Sequence, residues 1–215
     1  MTDNTQPTSL KSMKLRSGMS LQIQSVANGT HKEEAQFMAA IENKGVMLSP
    51  HSSGSLGAMK IGSEYLVSGF TGQHDFSFRT SVIQTFEQPF VYTLLHYPRE
   101  VSARQVRCAL RIKTSRPAQV TANGHARPLD TTLLDISRCG SMLNSPSPLG
   151  AVGETVHLSL SFDFEGEPID LSIPSTICHS NRAADDRGIN VGLAFKPSST
   201  TDRLLLHYLA QSSAD

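Results

Sequence analysis

Between Met19 and Phe195 the chain runs through one short segment after another in which apolar and polar residues alternate, and apolar residues at helical spacing appear only beyond Ser198. Alternation sends successive side chains to opposite faces, so each segment can cover a core with one face and meet water with the other. Met19–Ser25, Phe37–Met47 with its turn-like Glu42-Asn43-Lys44-Gly45, Tyr65–Phe70, Phe76–Phe86 and Phe90–His96 form a first series. His51–Gly57 between them is rich in Ser and Gly and reads as a loop. The series ends at Tyr97-Pro98, because proline lacks a ladder donor. A second series comprises Ala109–Ile112, Ala118–Thr121, Thr131–Ile136, Ser141–Leu143, Thr155–Phe164, Leu171–His179 and Ile189–Phe195. Ser198–Thr201 then offers helix-capping residues ahead of Leu204, Leu205, Tyr208 and Leu209. The expected fold is all-β: two small β-barrels, the second of six or seven strands and closed by one C-terminal helix.

The length of 215 residues accommodates two domains of about 100 residues each. The expected division is a polar tail over 1–14, a first barrel over 15–98, an Arg-rich linker over 99–111 and a second domain over 104–215. With 19 basic and 19 acidic residues the formal charge is zero, which argues against a general binder of nucleic acid or anionic membrane. Charge must act locally, and Arg99, Arg104, Arg107, Arg111, Lys113 and Arg116 make the densest basic stretch. Self-repulsion among these residues predicts a mobile linker in the ligand-free state. No apolar run approaches the roughly 20 residues that span a bilayer, so direct membrane insertion is not expected. Three cysteines without paired spacing, and no hydrophobic signal segment at the start, point to the reducing cytoplasm.

Two short motifs carry the chemistry. In Arg107-Cys108-Ala109-Leu110-Arg111 two guanidinium forks can grip phosphate oxygens bidentately. On a strand they would share a face about 13 Å apart, and on a coil they could wrap an elongated dianion from two sides. In Asp135-Ile136-Ser137-Arg138-Cys139-Gly140 the carboxylate can accept from the N1 and N2 donors of guanine, a two-point match that adenine does not offer. Ser137 adds a hydroxyl, and Gly140 lets the backbone approach a ligand. The same residue types also serve as an ordinary Asx or Ser turn between strands, with Arg138 facing solvent. Cys178-His179, His157 and Cys139 invite a zinc reading, but no C-x-x-C pair anchors it and adjacent strand residues point apart, so no metal is expected. No nucleophile elbow or His-Glu-x-x-His occurs, so no enzymatic activity is expected.

The pair of motifs, Arg107 and Arg111 followed by Asp135, Ser137 and Gly140, resembles the signature of the PilZ domain, a bacterial receptor for cyclic di-GMP. The later Val191-Gly192-Leu193-Ala194-Phe195 is similar to the strand that precedes the family's terminal helix, which adds Gly192 to the expected site. The first half, ending in Tyr97-Pro98-Arg99-Glu100, is similar to the N-terminal barrel of the flagellar brake proteins. Many relatives carry an arginine directly before the first motif arginine, where this chain has Val106. The resemblance therefore implies one cyclic di-GMP per site rather than an intercalated pair, with Arg104 as a possible substitute contact.

What the resemblance implies is a cytoplasmic cyclic di-GMP receptor, without other cofactor, that changes interdomain orientation on binding. It would regulate motility or surface behaviour through a protein partner such as the flagellar motor or stator, with recruitment to the flagellar basal body and homodimerisation both open. The rival reading is a nucleotide-independent interaction protein with a degenerate site. A single-strand nucleic-acid module is disfavoured by the few aromatic residues and the absence of tryptophan.

Overall fold

The structure, a computed structural model, describes residues 6–27, 29, 32–51, 59–122, 127–184 and 188–212. The chain divides into two compact units, Met1–Cys108 and Ala109–Asp215. The expected loop at His51–Gly57 lies, apart from His51, outside the described residues.

In the first unit the strands are β1 (Gln6–Thr8), β2 (Ser20–Ser25), β3 (Lys32–Ile41), β4 (Gly45–Pro50), β5 (Glu64–Phe70), β6 (His74–Phe86), β7 (Tyr92–Leu95) and β8 (Val101–Gln105). All neighbours are antiparallel, and the order β6-β5-β2-β3-β4-β7 closes into a six-stranded barrel through pairing of β6 with β7. Strand β6 is long enough to serve twice. Its Val82–Phe86 end pairs with β7, and its His74–Ser77 end pairs with β8, which in turn carries β1. Alternation decides what faces inward: Leu21 and Ile23 of β2, Phe76 and Phe78 of β6, and Val46 and Leu48 of β4 are buried together.

Two expectations for this unit change. The segment 1–14, read as a tail, contributes β1 and a 3-10 turn over Leu10–Met13 whose Leu10 is only 3% exposed, an anchor the polar composition conceals. Residues 101–105, read as linker, form β8 instead. Val101 and Ala103 there alternate into the core while Arg104 faces out and pairs with Asp75.

The second unit contains β9 (Ile112–Thr121), β10 (Leu129–Ser137), β11 (Gly140–Ser145), β12 (Thr155–Phe164), β13 (Glu167–Arg182), β14 (Ile189–Phe195) and the helix α1 (Thr200–Ser212). These six strands close in the order β10-β11-β14-β13-β12-β9. Ala109–Ile112, read as a strand, is irregular as far as Arg111, and Ala118–Thr121 proves to be the end of the long β9. The helix buries Leu206 and Leu209 in the barrel core and sets Tyr208 against Phe162 and Phe164, with ring centroids 6.2 and 4.7 Å away. Its start is a reciprocal cap. Ser199 Oγ accepts from the Asp202 backbone N–H at 3.0 Å, and Asp202 Oδ2 accepts from the N–H groups of Ser198 and Ser199 at 3.1 Å each.

Close backbone approach governs one barrel seam. A Cβ added at Gly140 would collide with the carbonyl oxygen of Leu193 on β14, and backbone cannot swing aside as a side chain could. Gly140→Ala should therefore destabilise the second barrel by roughly 1–3 kcal/mol, read as a lower denaturation midpoint; a wild-type midpoint would show that the seam yields freely. The cap generates a pH expectation. Hydrogen bonds from Ser199 and Ser198 hold the Asp202 carboxyl below its usual range. A depressed carboxyl contributes stability that is present above its unfolded pKa and is lost as pH falls through the folded value. Asp202→Ala should melt below wild type at neutral pH and converge with it in strongly acidic buffer. A gap that stayed constant down to pH 2 would contradict this.

Candidate functional site

The second motif is built on the β10–β11 hairpin, whose strands are joined by the two-residue turn Arg138-Cys139. Ser137 closes that turn: its hydroxyl donates to the Gly140 carbonyl at 3.0 Å and accepts from the Cys139 N–H at 3.3 Å. At 3% exposure, with its proton engaged, Ser137 shapes the turn, which is the local role these residue types also permit. Upstream, the ladder register slips between Leu133 and Asp135, and the bulge at Leu134 turns Asp135 to the outer face of the barrel. Asp135 Oδ1 accepts from the Met142 backbone N–H at 3.0 Å and lies 3.6 Å from Nη1 of Arg111. Both side chains are about three-quarters buried, so this pair is screened less than a surface bridge. Among the described residues Oδ2 of Asp135 has no partner, which leaves an acceptor facing out beside a guanidinium.

Cross-strand register continues this feature into a row. Asp135 of β10 stands opposite Met142 of β11, Met142 opposite Gly192 of β14, and Gly192 opposite His179 of β13. A second bulge, between Ile177 and His179, makes Cys178 the extra residue and restores His179 to the outer face. The imidazole then lies so close over Gly192 that any Cβ there would overlap it. Sequence reasoning named Gly192 for the ligand site but weighed His179 only within the rejected zinc reading, since strict alternation did not anticipate the bulge. The available signal was the glycine within a strand, which marks a close approach. Cys178 is a free, exposed thiol, and among the described residues no cluster of three or more His, Cys, Asp or Glu could hold a metal ion.

The structure places Arg104, Val106 and Arg107 in the first unit, and Arg111, Asp135, Ser137, Gly140 and Gly192 in the second. Arg104 is bound to Asp75 at 3.0 Å with both side chains about half exposed, a pair worth no more than about 1 kcal/mol. Val106 is half exposed. The Arg107 guanidinium lies 5.0 Å from the ring centroid of Phe70 on β5. The chain around it is not loose: Gln73 O accepts from the Val106 and Arg107 N–H groups at 2.8 and 3.0 Å. The part of the expected linker at Val106 and Arg107 thus has defined backbone partners on the β5–β6 hairpin.

The chain is similar to several solved structures, each at a TM-score below 0.5. The Bacillus subtilis inhibitor of motility (MotI/DgrA) aligns over 91% of this chain and 96% of its own, at 13% identity and a TM-score of 0.49. Escherichia coli YcgR in complex with c-di-GMP aligns over 91% and 83%, at 14% identity and a TM-score of 0.45. The Borreliella burgdorferi PlzA protein in complex with c-di-GMP aligns over 98% and 95%, at 13% identity and a TM-score of 0.35. No curated protein matches the sequence. The model of the PilZ domain matches residues 104–211, half of the chain, and takes in both motifs, the His179–Gly192 row and the terminal helix. The chain therefore belongs to the PilZ domain family.

Proposed function

We propose that the protein is a receptor for cyclic di-GMP, a ligand-operated effector and not an enzyme. The observation that carries this reading is the outward acceptor of Asp135 held 3.6 Å from Arg111 on a rigid barrel wall, within a complete pair of PilZ motifs. Arg107 and Arg111 supply bidentate donors for the two phosphates. Asp135 Oδ2 accepts from guanine N1 and N2, while Oδ1 stays engaged with Met142. Ser137 and Gly140 keep the hairpin in the shape that presents this carboxylate. The absence of a side chain at Gly192 lets the imidazole of His179 lie against the barrel wall, where it offers a flat face against which a purine can stack. With valine at position 106 in place of a further arginine, the reading is one ligand per site.

The output is also part of the proposal. One motif arginine belongs to the first compact unit and the other to the second. A ligand that engages both favours the conformations in which it can do so, a population shift that changes interdomain orientation. Regulation of motility or surface behaviour through a motor or stator protein rests on the resemblance of the first half to the flagellar brake barrel. No helix among the described residues is long and apolar enough to cross a membrane.

Isothermal titration with cyclic di-GMP, with GTP and cyclic di-AMP as controls, tests the reading. Selective binding at micromolar or tighter affinity, with a stoichiometry of one, is the expected result; absence of heat and of thermal stabilisation would leave a nucleotide-independent interaction protein. Arg107→Ala and Arg111→Ala should each weaken binding by at least about tenfold, the loss of charge-assisted bonds worth roughly 1.5–3 kcal/mol. Wild-type affinity in either variant would remove that arginine from the site. Asp135→Ala should lower the ratio of cyclic di-GMP to cyclic di-AMP affinity. That ratio is insensitive to any uniform weakening caused by freeing the Met142 N–H, so an unchanged ratio would refute the guanine-reading role.

A further inference from the structure

We infer that Phe70 and Gln73, on the β5–β6 hairpin of the N-terminal barrel, are positioning residues that hold Arg107 ready for a ligand phosphate. The inference rests on the cyclic di-GMP reading above. Neither residue belongs to the two motifs, and both lie in the first compact unit together with Arg107.

The hairpin is a built platform. Thr71 N–H donates to the His74 carbonyl at 3.0 Å, Thr71 Oγ1 accepts from the His74 N–H at 3.0 Å, and Gly72 takes the left-handed conformation at φ +92° that a tight turn requires. That turn aims the Gln73 carbonyl at the chain leaving β8, where it accepts from two successive N–H groups, those of Val106 and Arg107. Two side-chain amides add to the fixation: Gln73 Nε2 donates to the Cys108 carbonyl at 3.4 Å, and Gln105 Nε2 to the Arg107 carbonyl at 3.3 Å. The backbone of Arg107 is thus immobilised before any ligand arrives, which lowers the ordering cost of binding.

The side chain is held in a complementary way. Phe70 is 36% exposed and presents its ring to the Arg107 guanidinium at 5.0 Å. A guanidinium stacks through its face and donates hydrogen bonds through its edge, so an aromatic partner orients it without occupying its N–H groups. A carboxylate would occupy them, as Asp75 does for Arg104. Among the described residues no carboxylate pairs with Arg107. The arginine is therefore oriented and still has its donors available, as capture of a phosphate requires.

The test is titration of cyclic di-GMP into wild type, Phe70→Leu, Phe70→Tyr, Arg107→Ala and the Phe70→Leu/Arg107→Ala double variant, each with its melting temperature. Phe70→Leu, which keeps apolar bulk and removes the ring face, should weaken binding by about two- to fivefold, the size of an exposed cation–π contact. Phe70→Tyr should restore wild-type affinity. In the Arg107→Ala background the leucine should cost nothing further, a coupling that general loosening of the barrel would not produce. Wild-type affinity in Phe70→Leu, or a loss of the same size in both backgrounds, overturns the positioning role and leaves the receptor reading intact. Failure of wild type to bind cyclic di-GMP overturns both.

Discussion

One carboxylate closes a gap that the barrel itself opens. The bulge at Leu134 interrupts the β10–β11 register, and Asp135 Oδ1 accepts the Met142 N–H beside it. Through Oδ1 the side chain is tied to the barrel wall. The second oxygen is then presented outward at a defined place beside Arg111. A residue tied into the ladder through one atom is pre-organised at the other, which is how a site becomes precise without a deep pocket.

The rest of the second unit supports that arrangement. Gly140 and Gly192 occupy neighbouring strands at points where no side chain fits, the first against the Leu193 carbonyl and the second beneath the His179 ring. The terminal helix covers the core with Leu206 and Leu209, so the outer row of Asp135, Met142, Gly192 and His179 is free of the work of burying the core. Two bulges in strands flanking this row point Asp135 and His179 outward, in keeping with the tendency of bulges to re-aim side chains next to functional sites.

The first unit is more than a passive neighbour. Its β6 strand is extended so that β8 can pair with it beyond the closed barrel, and β8 delivers the chain to the hairpin that binds Val106 and Arg107. The arginines of this stretch have different partners: Arg104 pairs with Asp75, while the Arg107 guanidinium lies over the Phe70 ring, 5.0 Å from its centroid. Charge count alone does not distinguish the two.

Period-two alternation and turn residues made most strands legible: β12 and β14 match the reading at both ends, and the capping residues of Ser198–Thr201 announced the helix start. The two motifs were equally legible as a family signature, and the family model that matches residues 104–211 takes both of them in. What only the tertiary structure decided was everything set by cross-strand register. A bulge shifts a residue from one face to the other without leaving a mark in composition, so the outward placement of His179 and the bonding of Asp135 to Met142 follow only from paired strands. The anchoring of Leu10 and the stacking of Phe70 on Arg107 join residues far apart in the chain. Local sequence encodes which faces are apolar and which side chains can donate or accept; closing a barrel chooses which of them meet.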